Sequence, residues 1–596
     1  MREFSVPAMA ASDDAGNLAH LVVHNSLLDP EAIVFARRVG DGWKDIDCRQ
    51  FRQEVESLAR GLIAAGIESG DRIGLMSRTR YEWTLFDFAI WTVGAVTVPV
   101  YETSSAEQAA WILSDSGAVA CLVETEEHAA LIDTIRDGLP GLRSTWVLEQ
   151  GAVADLCSRG TLVADDLVAG RRDALNSSTV ATVIYTSGTS GRPKGCELTH
   201  GNFLRLADNT AARLGEIICD EGASTLLFLP LAHVFARFIQ ILCVVVRARC
   251  GHSSNIKDLL PDLATFRPTF LLAVPRVFEK IYNSAEASAD SSGKGRIFRA
   301  AARVAIQQSK SLDDDGPNRS LRLQHAVFDR LVYRQLRAAL GGRLRCSVSG
   351  GAPLGEHLGH FFRGVGVTVI EGWGLTETTA PVTVNPPEKI KMGTVGPPLP
   401  GVAVAVDDDG ELLVRGVGVM HGYHDRPEKT ARAMRDGWFR TGDLGEIDED
   451  GYVRITGRRK EIIVTAGGKN VSPMVLEDRL RRHPLVSQCI VVGDRRPYVA
   501  CLVTLDEQML ATWSQNNGRT VTDLAAAVKD PVVRQEIQHA VDEANTAVSR
   551  AESIRRFTIL DTDLTEADGH LTPKQSLRRS AVLRDFAVQV DDLYRS

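Results

Sequence analysis

One polar segment, Tyr185–Gly195, constrains this chain more than any other part of its sequence. Its letters, YTSGTSGRPKG, combine three glycines, several hydroxyl side chains and a lysine, and they follow an apolar run that reads as a buried strand. Glycine lets backbone N–H groups turn toward an anion, hydroxyl groups add donors, and lysine adds positive charge. The segment therefore predicts a phosphate-binding loop at the end of a strand.

This loop differs from the common nucleotide-binding loop. That pattern requires G-x-x-x-x-G-K-[ST] at the start of a helix. Here Gly191 is followed by Arg192 and Pro193 before Lys194, and Gly195 stands where the pattern places a magnesium-binding hydroxyl group. A flexible surface loop is the alternative interpretation of this segment alone.

Four further motifs follow along the chain. They read SGGAPL, EGWGLTET, TGDLG and GRRKEIIVTAGGKN, and they begin at Ser349, Glu371, Thr441 and Gly457. Together with the first segment, they resemble the signatures of the adenylate-forming superfamily, which contains acyl-CoA synthetases, adenylation domains of peptide synthetases and luciferases. The order and spacing agree over nearly the whole chain, and several matches in the correct order are more specific than one.

The resemblance implies an ATP site built from these motifs. Its nucleotide-binding residues are expected to be Thr186, Ser187, Gly188, Thr189, Ser190, Gly191, Lys194, Gly351, Ala352, Pro353, Glu371, Gly372, Trp373, Gly374, Thr376, Asp443 and Arg458. Asp443 is expected to accept hydrogen bonds from both ribose hydroxyl groups, because an ionised carboxylate has two acceptor oxygens. Thr376 is expected at the α-phosphate. Trp373 departs from the family, which more often has tyrosine in this aromatic wall against adenine.

The resemblance also implies catalytic roles. Glu377 is expected to hold Mg²⁺, a hard cation that prefers oxygen ligands. His233, in LPLAHVFAR, resembles a residue that long-chain members place beside the incoming carboxylate, and a purely structural histidine is the alternative. The catalytic lysine of the family lacks an aligned counterpart, because LTPKQSLRR has Ser576 at that position. Lys574, two residues earlier, is the predicted catalytic cation, and Arg578 is the alternative.

A second half-reaction in the family lets the thiol of coenzyme A attack the acyl adenylate. It follows a rotation of the C-terminal domain about a hinge, which corresponds here to Gly457, where many relatives have aspartate. Glycine tolerates the backbone change that a hinge requires. Gly467, Gly468 and Lys469 are then expected to face the pantetheine and phosphate groups of CoA.

The pattern of apolar residues predicts an α/β protein with more than one domain, since 596 residues exceed what one hydrophobic core usually organises. Short apolar strands at 73–76, 96–100 and 119–123 alternate with helical stretches at 81–94 and 106–114. This alternation predicts parallel strands joined by helices. We expect residues 1–456 to form a large domain of doubly wound mixed sheets with a small β-barrel-like subdomain. Residues 457–596 are expected to form a small, mobile α+β domain.

Composition excludes several other classes of protein. The ten cysteines include no C-x-x-C pair, which argues against a structural zinc site. The start of the chain lacks the apolar core of a secretory signal, and the most apolar stretch, 226–246, is interrupted by polar and charged residues. The sequence therefore predicts a cytoplasmic protein without a membrane span.

Residues 294–345 stand apart, because they contain twelve lysines and arginines against four aspartates in a chain of net charge −8. Near the end of this region, apolar side chains recur at every fourth position, at Phe328, Val332, Leu336 and Leu340. The arginines that lie opposite this apolar stripe are Arg330, Arg334 and Arg337. A solvated basic face is one interpretation. Peripheral contact with an anionic membrane, or with the phosphates of CoA, is the other.

The sequence as a whole predicts an AMP-forming acyl-CoA synthetase, similar to actinobacterial long-chain fatty-acid ligases. Its expected ligands are a fatty acid, ATP, Mg²⁺ and CoA, and no nucleic acid. One alternative is an acyl-AMP ligase that loads a carrier protein; such relatives carry an insertion that restrains the C-terminal domain, and no extra segment separates Asp443 from Arg458. The other is a non-catalytic relative that binds acyl chains and nucleotide.

Overall fold

The computed structural model describes residues 2–11, 14–186, 192–255, 258–521, 523–572 and 577–595. Among the predicted site residues, Ser187, Gly188, Thr189, Ser190, Gly191 and Lys574 lie outside these ranges.

The strands of the first two thirds of the chain are β1 (Arg2–Val6), β2 (Ile33–Val39), β3 (Gly42–Asp47), β4 (Arg72–Met76), β5 (Val96–Val100), β6 (Ala120–Val123), β7 (Ser144–Val147), β8 (Val180–Thr186), β9 (Lys194–Thr199), β10 (Ser224–Leu227), β11 (Arg249–His252), β12 (Phe270–Ala273), β13 (Cys346–Ser349), β14 (Thr368–Leu375) and β15 (Ala380–Val384). The later strands are β16 (Val402–Val406), β17 (Glu411–Gly416), β18 (Gly422–Tyr423), β19 (Met434–Arg435), β20 (Trp438–Ile447), β21 (Val453–Arg458), β22 (Ile463–Val464), β23 (Asn470–Val471), β24 (Val486–Val492), β25 (Val499–Leu505) and β26 (Ile554–Ile559).

The helices up to the middle of the chain are α1 (Leu18–Leu28), α2 (Cys48–Ala64), α3 (Tyr81–Thr92), α4 (Ala106–Asp115), α5 (Glu126–Ile135), α6 (Ala152–Arg159), α7 (Asp165–Asp173), α8 (His200–Ile218), α9 (Val234–Val246), α10 (Leu259–Phe266), α11 (Pro275–Ser291) and α12 (Gly295–Ser311). The remaining helices are α13 (Arg319–Phe328), α14 (Arg334–Ala339), α15 (Glu356–Val365), α16 (Pro427–Ala433), α17 (Pro473–Leu480), α18 (Glu507–Asn516), α19 (Leu524–Lys529), α20 (Pro531–Asn545), α21 (Arg579–Asp585) and α22 (Ala587–Asp592).

The sheet that leads into the predicted phosphate loop runs in the order β18-β9-β8-β5-β4-β6-β7. Strands β8, β5, β4, β6 and β7 are parallel, as the alternation of apolar strands and helices predicted for β4, β5 and β6. Strand β9 pairs antiparallel with β8, and β18 pairs antiparallel with β9. Strand β4 lies between β5 and β6, so the strand order reverses there. Ligands of such sheets bind beyond the carboxyl ends of the strands near this reversal.

Two further mixed sheets, β10-β11-β2-β3 and β12-β13-β14-β15, complete the α/β part. Helix α9 is held against this framework by Arg237, whose guanidinium group forms a fully buried ion pair with Asp87 of α3. Arg237 also donates a hydrogen bond of 2.5 Å to Thr182 Oγ1 in β8, and the rings of Trp83 and Trp91 lie beside it. A buried charge requires such partners, so the contacts of Arg237 fix α9 against α3 and β8.

A separate antiparallel sheet contains β1, β16, β17, β20, β19 and β21. It corresponds to the small β-barrel-like subdomain that the sequence predicted. The pairing of β1 with β16, which places Arg2 opposite Val406, was not predicted. It brings the first strand of the chain to a sheet made of residues 400 positions away.

The C-terminal elements have their own hydrophobic core. The buried apolar side chains of the larger part of the chain extend from Leu18 to Val453, and the next cluster begins at Ile463. Strand β25 pairs antiparallel with β24 and parallel with β26, and α17 and α20 pack on this sheet. The predicted hinge, Gly457, lies between the two clusters; the division of the chain at this residue stays a prediction.

The basic region forms α12, α13 and α14, with a π-helical turn at Asp329–Tyr333 between the last two. Leu336 and Leu340 are buried, as the apolar stripe predicted. Arg337 is not part of an exposed basic face, since its guanidinium group donates to the carbonyl of Val365 at 2.6 Å and to Asp329 at 2.7 Å. The π-turn adds a residue to the helical repeat and so rotates the later side chains relative to a regular helix.

Candidate active site

A single continuous cavity of about 2100 Å³ lies where the carboxyl ends of the parallel strands meet the C-terminal elements. It brings together nearly all the described residues that the motifs predicted, namely Thr186, His233, Lys194, Gly351, Ala352, Pro353, Glu371, Gly372, Trp373, Gly374, Thr376, Glu377, Asp443 and Arg458. It does not include Gly467, Gly468 or Lys469, which are exposed in the turn between β22 and β23.

The predicted phosphate loop connects an antiparallel hairpin, since Thr186 at the end of β8 is opposite Lys194 at the start of β9. Trp111 of α4 supports the stem, because its indole N–H donates to the carbonyl of Pro193 at 2.9 Å and its ring lies 4.7 Å from the Arg192 guanidinium carbon. Lys194 Nζ lies 4.4 Å from the centre of the Tyr423 ring. The hairpin therefore places one cation at the cavity, with its position set by a neighbouring aromatic ring.

The predicted adenine loop follows β13 and is held by Glu371. The carboxylate of Glu371 accepts a hydrogen bond from the backbone N–H of Leu354 at 2.8 Å. Its side chain is buried, and this burial raises the pKa of Glu371 to about 7. Glu371 lines the cavity as predicted, while its carboxyl group supports the loop of Gly351 and Pro353.

The motif around Gly374 depends on a close approach of two backbones. A Cβ atom at Gly374 would lie 1.8 Å from the carbonyl oxygen of Ala380, so only glycine fits at this bulge between β14 and β15. The next turn contains Thr379 and Ala380 with φ angles of +60° and +95°, which are uncommon for residues with a side chain. This strained turn presents Thr376 and Glu377 to the cavity.

Asp443 is a second buried carboxylate of the motifs that line the cavity. Its Oδ2 accepts a hydrogen bond of 2.8 Å from the indole N–H of Trp373, and its Oδ1 lies 2.8 Å from Nε of Arg458. The Arg458 contact is an ion pair without hydrogen-bond alignment, and no donor in the described part of the chain is aligned with Oδ1. A buried acceptor of this kind suits a ligand hydroxyl group, as the ribose prediction requires.

Trp373 thus has a second role beyond the aromatic wall that the sequence predicted. Its N–H group orients Asp443. In a similar way, the hydroxyl group of Tyr423 donates to Glu377 Oε1 at 3.0 Å. Sequence reasoning missed Tyr423 and Trp111, because both lie outside the recognised motifs and reach the site only through tertiary packing.

His233 lies at the junction between the nucleotide residues and an apolar channel. It is the N-cap of α9, and its Nδ1 accepts a hydrogen bond from the backbone N–H of Phe235 at 3.2 Å. The structural role that the sequence left as an alternative is therefore present, and the side chain lines the cavity as well.

The apolar part of the cavity lies between α8 and α9. Its walls are made by Leu214, Ile217, Ile218, Phe235, Phe238, Ile239, Leu242 and Val348. Sequence analysis did not predict these residues individually. The apolar character of α9 could have indicated them, although a buried core helix has the same signal.

C-terminal elements close one side of the cavity. Thr103, in the loop after β5, donates a hydrogen bond to Glu566, and Glu566, Gly569 and Arg578 line the cavity. Within the described residues, no group accepts a hydrogen bond from the buried Nε of Arg578. Arg579 also lines the cavity, and its guanidinium group donates hydrogen bonds to Glu477 and to the carbonyl of Val491.

Gly457 lies within β21, opposite Leu444 of β20, and it is buried. A Cβ atom at this position would lie 2.9 Å from Oγ of Ser472, which donates to the carbonyl of Thr456 at 2.8 Å. The predicted hinge is therefore closely packed in this arrangement of the two parts.

Comparisons with known proteins agree with this site. The profile of the AMP-binding enzyme family matches residues 24–424, and that of the AMP-binding enzyme C-terminal domain matches residues 460–596. The chain belongs to the AMP-binding enzyme family. It is 48% identical, over the full length of both proteins, to the long-chain-fatty-acid–CoA ligase FadD15 of Mycobacterium tuberculosis. The predicted resemblance to actinobacterial fatty-acid–CoA ligases is thus confirmed.

Solved structures confirm the predicted fold class. The anthranilate CoA ligase AuaEII with anthranoyl-AMP has a TM-score of 0.71 at 22% identity, covering 97% of this chain and 98% of that one. The o-succinylbenzoate CoA synthetase MenE of Bacillus subtilis with ATP and a magnesium ion has a TM-score of 0.67 at 20% identity, covering 94% and 98%. At sequence identities of 20–22%, the similarity to these structures is evidence for the fold alone.

Proposed function

We propose that this protein activates long-chain fatty acids, by converting a fatty acid and ATP into an acyl adenylate and pyrophosphate, and then the adenylate and CoA into acyl-CoA and AMP. One observation carries the proposal. A single cavity connects the predicted nucleotide residues to an apolar channel between α8 and α9, so a carboxylate at the mouth of the channel can meet the α-phosphate. The identity to FadD15 over the full chain supports the same reaction.

The first half-reaction depends mainly on positioning and charge. A carboxylate oxygen attacks the α-phosphorus and pyrophosphate leaves, so the negative charges of both reactants must be offset. Lys194 supplies a cation for the outgoing phosphates, Asp443 orients the ribose, and His233 stands beside the carboxylate. In this proposal, Gly351 and Trp373 enclose the adenine ring.

We propose Glu377 as the protein ligand of Mg²⁺. The carboxylate is half-buried at the cavity, and the hydroxyl group of Tyr423 binds Oε1, so the group is held in place for a hard cation. When bound, Mg²⁺ neutralises charge on the phosphates of ATP. No cluster of three or more His, Cys, Asp or Glu side chains suited to a metal occurs in the described ranges, which fits a site completed by phosphate oxygens.

Replacing Glu377 by glutamine is expected to lower fatty-acid-dependent exchange of pyrophosphate into ATP by about a hundredfold or more. The change removes one negative charge from the cation ligand and conserves the shape of the side chain. Tyr423→Phe is the matched control, since it removes only the hydrogen bond to Glu377 and should have a much smaller effect. If a folded Glu377→Gln variant exchanges pyrophosphate into ATP at the wild-type rate, Glu377 is not the ligand of Mg²⁺.

The length of the apolar channel supports a long acyl chain. Cavity-lining residues extend over about two turns of each helix, from Thr210 to Ile218 in α8 and from Val234 to Leu242 in α9. A saturated chain gains stability from each methylene group that it buries, about 0.8 kcal/mol. Chains that reach Leu242 should therefore bind more tightly than short ones.

For the second half-reaction, we propose that the C-terminal part rotates about Gly457. Gly467, Gly468 and Lys469 lie away from the cavity in the present arrangement, whereas Glu566 and Arg578 border it. In this proposal, the rotation moves Glu566 and Arg578 away from the adenylate. It brings the turn of Gly467, Gly468 and Lys469 to the adenylate in their place, where this turn contacts CoA.

Gly457→Pro is expected to slow thioester formation from supplied acyl adenylate by about tenfold or more, because a fixed φ angle opposes the rotation. Adenylate formation should continue. Gly457→Ala is the control: it adds the same Cβ contact with Ser472 and leaves the φ angle variable. If the proline variant forms thioester as fast as the alanine variant, the hinge is elsewhere.

We also propose that the basic region of residues 294–345 brings the enzyme to anionic membranes, where long-chain fatty acids partition. Its excess of arginine and lysine supports this role, since each such residue near a charged surface contributes about 1 kcal/mol. None of the helices in the described part of the chain is long and apolar enough to cross a bilayer.

The decisive experiment is to measure AMP release with palmitate, in the presence and absence of CoA. CoA-dependent AMP release together with palmitoyl-CoA supports the proposal. Adenylate that accumulates and is not transferred to CoA indicates a carrier-protein ligase. A protein that binds both substrates and releases neither pyrophosphate nor AMP is a non-catalytic relative.

A further inference from the structure

Helix α13 and the π-turn that follows it expose a line of apolar side chains. Leu323, Val327 and Leu331 are 69%, 50% and 53% exposed. They recur at intervals of four residues, so they lie along one side of the helical segment. Exposed large apolar residues are ordinary when scattered, but an aligned set indicates a contact surface.

Another side of the same segment is firmly attached to the protein. Phe328 and Val332 pack against the main hydrophobic core. His325 contributes a hydrogen bond of 2.7 Å between its Nε2 and the carbonyl oxygen of Gly364. The outward line of apolar residues is therefore displayed by a fixed helix.

Positive charge surrounds this line. Arg319, Arg322, Arg330 and Arg334 are all exposed. The only acidic residue between positions 319 and 334 is Asp329, and its carboxylate is paired with Arg337 at 2.7 Å and Arg334 at 3.5 Å. Apolar residues with flanking arginines match the apolar interior and the negative headgroups of an anionic bilayer surface.

We propose that Leu323, Val327 and Leu331 insert shallowly into an anionic membrane, with Arg319, Arg322 and Arg330 at the level of the lipid phosphates; this surface is called the docking face. The inference rests on the proposed membrane contact of a fatty-acid ligase and assigns it to one side of one helical segment. It replaces the triad of Arg330, Arg334 and Arg337 that the sequence indicated, because Arg337 is engaged inside the protein.

The test is sedimentation of the full-length protein with vesicles of phosphatidylcholine, with or without phosphatidylglycerol, in low salt. The triple variant Arg319→Gln, Arg322→Gln, Arg330→Gln should bind anionic vesicles roughly a hundredfold more weakly. The triple variant Leu323→Ser, Val327→Ser, Leu331→Ser should bind about tenfold more weakly or worse.

Matched controls carry the same changes at exposed positions elsewhere. Leu27, Leu162 and Val588 are changed to serine, and Arg49, Arg495 and Arg595 to glutamine. Wild-type binding by both controls supports the docking face. Equal loss in controls and test variants, or equal binding of the wild type to neutral vesicles, overturns it.

A second measurement keeps this inference separate from the proposed activity. Ligase activity with octanoate, a soluble acid, is measured without vesicles, and the docking-face variants should match the wild type. A wild type that sediments with anionic vesicles and lacks ligase activity would leave the docking face standing and contradict the proposed function. Retained activity together with unchanged vesicle binding in both test variants would overturn the docking face alone.

Discussion

Asp443→Ala is expected to raise the KM for ATP by at least about a hundredfold, because two ribose hydrogen bonds to a charged group, each about 1.5–3 kcal/mol, are lost. The buried carboxylate is already prepared for this role. Trp373 fixes Oδ2, and Arg458 lies beside Oδ1, which has no aligned donor among the described residues. The measurement is the ATP dependence of pyrophosphate exchange at saturating palmitate.

Two variants make this result specific. Glu446→Ala removes an exposed carboxylate from the same strand and should leave the KM unchanged. Trp373→Phe retains an aromatic ring, loses the N–H donor and should raise the KM by about tenfold. The assignment fails if folded Asp443→Ala has a KM for ATP within about twofold of the wild type, far less than the 1.4 kcal/mol of a tenfold change.

Lys574→Ala is expected to reduce adenylate formation by about two to three orders of magnitude, because the chemistry requires a mobile cation between the carboxylate and the α-phosphate. Thioester formation from supplied acyl adenylate should be retained. Lys574 lies outside the described residues, and the neighbouring Thr572 and Leu577 line the cavity. Both half-reactions are followed with purified palmitoyl adenylate and with palmitate plus ATP.

Arg578→Ala decides between the two candidate cations. Arg578 borders the cavity, but its planar guanidinium group is a poor substitute for a compact ammonium group, so the variant should keep most of its adenylation activity. Arg579→Ala is unsuitable as a control, because it removes the cation that pairs with the buried carboxylate of Glu477. Full adenylation by Lys574→Ala, with loss in Arg578→Ala, would transfer the role to Arg578.

Local motifs were informative because each one encodes a backbone requirement. Gly374 must be glycine because a Cβ atom there would clash with the backbone of Ala380, and a Cβ atom at Gly195 in β9 would lie 2.5 Å from a methyl carbon of Val183. Such requirements act over a few residues, so they can be recognised without a fold. The parallel strands β4, β5 and β6 were predictable for the same reason, since buried strands and covering helices alternate at short range.

Other features of the site were not accessible from local patterns. The contact between Tyr423 and Glu377 joins residues 46 positions apart, and Trp111 supports a loop 82 positions later. The apolar stripe in the basic region was located correctly, but Arg337 donates hydrogen bonds to Val365 and Asp329 and is not part of a free basic face. A regular helical repeat could not predict this, because the Val365 carbonyl belongs to another helix, α15, which only tertiary packing brings to Arg337.

The sequence by itself determined the family, the order of the motifs and the kinds of side chain available for adenylate chemistry, because these depend on residue types at short spacing. Only the tertiary structure decided that Trp373 orients Asp443, that burial raises the pKa of Glu371 to about 7, and that an apolar channel joins the nucleotide site. Burial, alignment and cavity shape arise when distant segments exclude water together, and no local pattern encodes which segments those are.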